Sequence, residues 1–498
     1  MKRAAAAIAF VAALLAPAIA AAVTVKNLDM GKDVQVWYLE DRTLPMISMS
    51  AALPAGSAYD PKAKAGLAAF TADLLNEGAG NLRSQAYQGA LSDKAIKLSV
   101  TTERDYMIIS LVTLSENAKD AFHLLGLALS HPRFDGDAIN RVRMQILSAI
   151  AQENEDPTSV AEKGLFAAYF KNHPYGHPVN GDPASVGRIT RNDIRAFQRS
   201  HWVRNGLRLT VSGDADAKTF QSLIASAFGE IPARWAPPIA PAKHVGAPGV
   251  HIIPMAVPQP VAVFAVPGLL RNDRDFIPAY VANYILGGGG FSSRLMNEVR
   301  EKRGLTYDIT TSLETMRKAG IVVGEVATRA NAMRQTIAVV RATMKDFANN
   351  GVTDKELADA KTYLTGSFPL SFASNVGISS QINTFQRAGL AIDYIQKRNA
   401  LIDAVTLADV KRVSQRLFSP DKLTIVIGGS PEGAPAKTKP MPGVGKPPQP
   451  AEPPAKPEQA ATKTPGRKPP VTANTTAAKP KEQGRMAPAV APATPPRH

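Results

Sequence analysis

The chain has 498 residues, with 58 Lys and Arg against 42 Asp and Glu, a formal net charge of +16 and no cysteine. The lack of cysteine excludes disulfides, thiolate metal ligands and a thiol nucleophile. About +7 of the charge lies in the last 68 residues, so the basic composition does not by itself indicate nucleic-acid binding, and we expect none.

The first twenty residues have the pattern of an export signal. A basic Met1-Lys2-Arg3 precedes an apolar run at 4–15, and Ala18-Ile19-Ala20 forms a small-residue cleavage site. This predicts a signal peptide at 1–20 and an exported, periplasmic location. The alternative is an uncleaved anchor, although the run is short and Ala-rich for a membrane span.

The core that follows carries an internal repeat. Thr190-x-x-Asp193 opens a helix that leads to an alternating strand ending at Gly213, and Thr406-x-x-Asp409 opens another that leads to a strand ending at Gly429. The two segments align without a gap at a spacing of about 216 residues. Both starts resemble a capping box.

Other elements repeat at nearly the same spacing. Strands are predicted to end at Leu53-Pro54 and at Val266-Pro267, and apolar stripes mark one long helix in each half. The stripes are Ile139, Val142, Ile146 and Ile150, and then Leu357, Ala360 and Leu364. Thr353-x-x-Glu356 is expected to cap the second of these helices. We therefore predict an α+β fold of two homologous sandwich halves, residues 23–235 and 250–430, joined by a Pro/Ala-rich linker at 236–249.

Two local motifs carry competing interpretations. His173-Pro-Tyr-Gly-His177 has two His at i and i+4, but its Pro and Gly predict a loop rather than a ligand-bearing helix face. Gly287-Gly288-Gly289-Gly290 lacks the Lys-Ser/Thr of a phosphate loop, so a helix end and flexible turn is favoured over nucleotide binding.

The end of the chain differs in composition from the core. Residues 431–498 contain about eighteen prolines and few large apolar residues. Such a segment cannot bury a core, so we predict a disordered Pro/Ala/Lys-rich tail.

The stretch from the four glycines to Tyr307 gives the clearest family signal. It runs through Phe291 to Arg300 and, seven residues later, Tyr307, with Gly304 expected to break the helix between them. This stretch resembles the C-terminal-half signature of the insulinase/pitrilysin-type zinc peptidases, family M16. The resemblance covers the whole core and implies two halves that enclose a substrate chamber.

The zinc motif of that family, His-x-x-Glu-His, does not occur at the matching place. Ala69 and Asp73 stand at the two His positions and Ala72 at the catalytic Glu position. The motif needs two imidazoles on one helix face and a carboxylate base between them. The third-ligand region holds Ser148, Ala149 and Ile150, with Glu153 one turn further. We expect no zinc in this chain.

The resemblance then implies a divided active site. Arg300 and Tyr307 would contact the substrate and the developing oxyanion, and Gly287, Gly288, Gly289, Gly290 and Phe291 would form a substrate-binding loop. We expect a non-catalytic subunit that pairs with a zinc-bearing M16 paralogue to cleave peptides. The alternatives are a free-standing peptide-binding scaffold, with the tail bound to an anionic envelope surface, and autonomous hydrolysis through an unrecognised site.

Overall fold

Two mixed sheets with matching strand order organise the molecule. The structure is a computed structural model that describes residues 24–242 and 246–431. The first sheet has the order β1-β2-β8-β3-β7-β6 and the second the order β11-β12-β10-β13-β9.

The first half holds the larger sheet. Its strands are β1 (Lys26–Leu28), β2 (Gln35–Glu40), β3 (Met46–Leu53), β4 (Gly78–Ala79), β5 (Leu82–Arg83), β6 (Lys97–Thr102), β7 (Met107–Leu114) and β8 (Arg208–Gly213). Its helices are α1 (Leu67–Asp73), α2 (Ser84–Ser92), α3 (Ala118–Ser130), α4 (Gly136–Glu155), α5 (Pro157–Tyr169), α6 (Pro183–Gly187), α7 (Arg191–His201) and α8 (Ala217–Phe228).

The second half repeats this plan with fewer strands. Its strands are β9 (Gly249–Ile253), β10 (Val261–Pro267), β11 (Ile309–Thr315), β12 (Gly320–Ala327) and β13 (Thr424–Gly428). Its helices are α9 (Phe276–Asn283), α10 (Met333–Asn350), α11 (Asp354–Gly366), α12 (Asn375–Arg387), α13 (Tyr394–Asp403) and α14 (Leu407–Leu417).

The pairing directions repeat as well as the order. β6-β7-β3-β8 and β11-β12-β10-β13 are antiparallel throughout, and β2 and β9 then pair in parallel with β8 and β13. The predicted α+β class and the duplication are therefore confirmed. β1 is an addition to the first half, paired with β2.

The local predictions for the helices are also confirmed. Thr190, Thr353 and Thr406 each accept a hydrogen bond from the backbone of the residue three positions on, in full capping boxes. The apolar stripes of α4 and α11 are buried. These caps and stripes fix where each helix begins and which face it buries.

The two halves exchange one helix each, which the repeat did not predict. α5 of the first half packs on β10 and β13 of the second, and α12 of the second half packs on β3 and β8 of the first. A Cβ on Gly164 would lie 2.6 Å from Ile253 and 3.0 Å from Val426, so glycine permits the close approach of α5. Each sheet is therefore covered on its second face by a helix from the other half.

The contact between α12 and the first sheet is polar as well as apolar. Gln386 donates to the carbonyls of Gln35 and Leu209 and accepts from the Thr210 hydroxyl at 2.7 Å. Asn383 donates to the Ser50 carbonyl. Both amide side chains are buried, so their hydrogen bonds hold the helix at one position on the sheet.

The β11–β12 turn gives a further tie between the halves. Asp105 accepts from the backbone N–H of Arg317 at 2.8 Å and from the Tyr175 hydroxyl at 2.6 Å. Tyr175 is the centre of the His-Pro-Tyr-Gly-His loop. His173 accepts from the backbone N–H of Tyr175 through Nδ1 and lies 2.9 Å from the Ala240 carbonyl through Nε2. The loop is structural, as predicted.

The predicted terminal segments lie largely outside the described residues. Residues 1–23, 243–245 and 432–498 are not described, so the predicted signal peptide, part of the predicted linker and nearly all of the predicted tail lie outside the described residues. Of the linker, Ile239 is buried and the Ala247 N–H donates to Thr424. Among the described helices, none combines the length and apolarity needed to cross a membrane.

Candidate functional site

The helix at the zinc-motif position is α1. Gly66 takes a positive φ of 91° ahead of it, and the carboxylate of Asp60 accepts from the backbone N–H groups of Gly66 and Ala68, both at 2.7 Å. Asp60 thereby satisfies donors that the first turn leaves unpaired. The first turn of the helix is therefore well formed, although the helix lacks the residues of the zinc motif.

The side chains at the motif positions cannot hold zinc. Ala69 and Ala72 are buried methyl groups, and Asp73 is exposed. Loss of hydration raises the pKa of Asp73 to about 6, although the exposure of the residue to solvent limits that effect. One carboxylate with two methyl groups does not supply the three ligands and the base of a catalytic zinc site.

The third-ligand region does not repair the site. Ile150 is buried in the core. Glu153 accepts from Asn180 at 2.8 Å and pairs with Lys163 at 2.7 Å, so its carboxylate is already engaged. Within residues 24–242 and 246–431, no group of three His, Asp or Glu is arranged to hold a metal ion. The donor set therefore does not fit the zinc of the family.

Arg300 lies in an unusual helical segment. Residues Tyr284–Gly288 and Met296–Glu301 both form π-helical turns, and the first of them includes the first two glycines of the run. π-Helical turns are rare in proteins, and those that do occur are often found at functional sites. Gly304, with φ of 59°, ends the second turn, and its N–H donates to the Arg300 carbonyl. The predicted break between Arg300 and Tyr307 is confirmed.

The guanidinium of Arg300 lies over two aromatic rings. Its Cζ is 4.5 Å from the ring centre of Phe291 and 4.7 Å from that of Tyr307. Its Nε lies 3.6 Å from the Glu301 carboxylate, and its Nη1 is buried without a hydrogen-bond partner among the described residues. The rings fix the plane of the guanidinium, and the N–H bonds of Nη1 are not used by any contact within the described residues.

The two rings that support Arg300 face solvent. Phe291 is 68% exposed and Tyr307 is 81% exposed. An aromatic side chain so exposed gains little from core burial, and a cluster of such rings is typical of a binding surface. The sequence placed Phe291 in a substrate loop but did not indicate that it stacks on Arg300.

Tyr307 also borders a pocket of about 340 Å³. Thr306 holds the adjoining loop, since its hydroxyl donates to the Ala327 carbonyl at 2.7 Å. The wall opposite the loop includes Gln259, Glu325 and Arg329. Two residues after Tyr307, β11 begins as the edge strand of the second sheet. A loop, a pocket and a sheet edge therefore meet at one place.

The glycine run is required by packing at its start and by backbone conformation at its end. A Cβ on Gly287 would lie 2.4 Å from the Thr311 hydroxyl, and one on Gly289 would lie 2.9 Å from the Tyr284 carbonyl. Gly290 has φ of 56°, which favours glycine, and its Cβ direction is open. The turn presents Phe291 to solvent. A role of Gly287–Gly290 in substrate binding stays a prediction.

Two family models match the chain. The model described as insulinase (peptidase family M16) matches residues 37–182, and the one described as peptidase M16 inactive domain matches residues 188–364. With the duplicated α+β fold and the Arg300–Tyr307 segment, they define a chain of two peptidase-type halves. The chain belongs to peptidase family M16.

Relatives and a solved structure agree with this assignment. The chain is 28% identical over 395 residues to the non-peptidase homolog YmxG of Helicobacter pylori, covering 78% of this chain and 90% of the relative. It is 25% identical over 400 residues to an uncharacterized zinc protease of Mycobacterium bovis, with the same coverage of 78% and 90%. The crystal structure of a peptidase M16 inactive domain from Pseudomonas fluorescens superposes with a TM-score of 0.77 at 28% identity, covering 82% of this chain and 98% of that one.

Proposed function

We propose that this chain is the non-catalytic, substrate-positioning subunit of an exported two-subunit M16 zinc peptidase. The observation that carries the proposal is the pairing of a zinc-motif helix that lacks the ligands with an Arg300–Tyr307 segment that has a partly exposed guanidinium and an exposed phenol. A zinc-bearing paralogue would supply the metal and the attacking water. This chain would supply hydrogen-bond donors.

The roles follow from the chemistry of the two side chains. Arg300 has a guanidinium whose plane the rings of Phe291 and Tyr307 fix and whose Nη1 has no partner in the described part of the chain. A donor fixed in advance stabilises a carbonyl oxygen most when negative charge develops on it. The phenol of Tyr307, at the exposed rim, would add a second donor.

The neighbouring sheet edge suits a peptide substrate. β11 starts beside Tyr307 and, within residues 24–242 and 246–431, pairs on one side only, with β12. An extended peptide adds to such an edge through main-chain hydrogen bonds, and neighbouring pockets select side chains. The pocket bordered by Tyr307 would take one side chain of the peptide.

The free-standing scaffold remains the second candidate, because the exposed rings and the sheet edge also suit a peptide that is bound but not cut. In that case the basic tail would attach the protein to an anionic envelope surface.

Co-expression with a zinc-bearing M16 paralogue from the same genome separates the two candidates. The proposal expects a stable hetero-oligomer with one zinc for each pair of chains, and hydrolysis of a quenched fluorescent peptide by the pair alone. Failure of the chains to assemble, or equal hydrolysis by the paralogue alone, would overturn it. Hydrolysis by the isolated chain in the presence of a chelator would instead support an unrecognised site.

A further inference from the structure

A basic groove lies on the first half of the chain, whereas the Arg300 segment lies in the second half. It has a volume of about 730 Å³ and runs between α7 and residues 130–135. Four arginines and one carboxylate line it, together with His131. The charged residues are Arg133, Arg191, Arg195, Arg199 and Asp135. We call these five residues the arginine groove. Its cations outnumber its carboxylates four to one.

Three of these arginines form a line on one face of α7. Arg191, Arg195 and Arg199 recur every four residues, and all three are exposed. Residues four apart on a helix lie on the same face, about 6 Å from one another along the axis. The groove therefore presents a row of cations rather than one convergent cluster.

The charges of the groove are only partly neutralised. Arg133 pairs with Asp135 at 2.7 Å, and Arg191 donates to the Arg133 carbonyl at 3.0 Å. The side chains of Arg195 and Arg199 make no hydrogen bond or ion pair with any other described residue. Two guanidinium groups on a concave surface thus remain available to an anionic ligand.

The wall opposite α7 contacts the end of that helix and is locally strained. Phe134 has φ of 50°, a conformation that a bulky residue rarely adopts, and its ring packs against Trp202 at 6.3 Å. Gln198 donates to the Leu129 carbonyl at 3.1 Å and so ties α7 to the end of α3. Backbone strain that the surroundings hold in place is concentrated at functional sites. These contacts join the two walls of the groove at one place.

We propose that the arginine groove binds an extended acidic peptide segment of a partner or substrate protein. In an extended chain, every second side chain lies on the same face at a spacing of about 6.6 Å. Carboxylates at alternate positions would therefore match the arginine row almost one to one. A single phosphate favours donors that converge on one point, and a membrane favours a flat or convex surface, so a linear acidic segment fits better than either.

The test uses the purified full chain and two fluorescein-labelled peptides of equal composition. One alternates Glu and Ala with three glutamates, and the other groups its three glutamates at one end. Fluorescence anisotropy at low salt should show tighter binding of the alternating peptide, with affinity falling as salt increases. Arg195→Glu with Arg199→Glu should weaken that binding by at least about tenfold.

Lys345→Glu provides a matched control, because Lys345 is an exposed cation on α10 of the other half. It should leave binding unchanged. If the double reversal does not fold, Arg195→Gln with Arg199→Gln replaces it, with the same expected direction. The proposal is overturned by no binding at about 1 mM peptide, by equal binding of both peptides, or by an equal loss in the Lys345 variant. Stronger arginine-dependent binding to phosphatidylglycerol vesicles than to the peptide also overturns it, in favour of a membrane contact.

Discussion

Arg300 lies with its guanidinium carbon 4.7 Å from the ring centre of Tyr307, and Gly304 breaks the helix between them. The chain reversal after Gly304 brings the two side chains together. Seven residues in an unbroken helix would have separated them by about 10.5 Å along the axis. The break therefore places the two side chains close together, and the Tyr307 ring beyond it is exposed to solvent.

The first prediction concerns catalysis by the assembled pair. Arg300→Ala and Tyr307→Phe should each lower kcat by about 10²–10³, the usual cost of losing one oxyanion donor. The loss should appear mainly in kcat because the contact strengthens in the transition state. Steady-state kinetics on a quenched peptide, with assembly verified by size exclusion, gives the measurement.

Arg303→Ala is the matched control for this experiment. Arg303 belongs to the same segment, but its guanidinium pairs with Glu298 at 2.8 Å, whereas that of Arg300 stacks on the two rings. It should retain near-normal kcat. Full activity of both the Arg300 and the Tyr307 variants at saturating substrate would leave this chain as a scaffold only.

The sequence predicted the architecture better than it predicted the contacts. Each feature that was predicted from residue spacing is present: the 216-residue repeat, the three capping boxes and the two apolar stripes. The exchange of α5 and α12 was missed, because α5 reads as an ordinary apolar helix whichever sheet it covers. The stack of Phe291 on Arg300 was missed because a π-helical turn has no simple sequence period. The arginine row at 191, 195 and 199 was visible in the sequence and was not singled out.

The second prediction concerns metal. Incubation of the isolated chain with a chelator should leave its melting temperature unchanged, and the untreated protein should contain no stoichiometric zinc. Ala69 and Ala72 provide no ligand atoms, and the carboxylate of Glu153 is engaged by Lys163. Atomic-emission zinc analysis together with differential scanning calorimetry would check this. One tightly bound zinc per chain, or a chelator-induced fall in melting temperature, would contradict it.

The third prediction concerns the exchanged helix α12. Gln386→Ala should lower the free energy of unfolding by about 2–4 kcal/mol, because it leaves the Thr210 hydroxyl and two backbone carbonyls without their partner in a buried layer. Chemical denaturation would measure the change. Gln221→Ala, which removes only an exposed and long hydrogen bond of 3.4 Å, should cost less than about 0.5 kcal/mol. Equal effects of the two variants would show that the polar contact of α12 is not a source of stability.

The fourth prediction concerns Asp60 at the start of α1. Burial raises the pKa of Asp60 to about 8, from 3.8 in an exposed aspartate, and the N–H bonds from Ala68 and Gly66 only partly offset this. Between these two values, the folded chain holds a proton that the unfolded chain releases. The contribution of Asp60 to stability is therefore complete below about pH 4 and is lost as the pH rises through about 8.

The titration of His177 also changes the free energy of unfolding in the acidic part of this pH range. Its Nε2 lies 3.9 Å from the Asp60 carboxylate, and burial lowers its pKa below 6.5, so its contribution rises with pH as that of Asp60 falls. The two effects separate between about pH 7 and 8, where the imidazole is neutral in both states and Asp60 still titrates. In this window the free energy of unfolding should fall with pH at a slope of up to roughly 1.4 kcal/mol per unit.

In Asp60→Asn that part of the slope should disappear, whatever the cost of the substitution itself. Asp359→Asn, which removes one exposed carboxylate from α11, controls for the change in net charge. Parallel slopes for the wild-type and Asp60→Asn proteins would mean that Asp60 is ionised in the folded chain and that its two N–H bonds outweigh the cost of its burial.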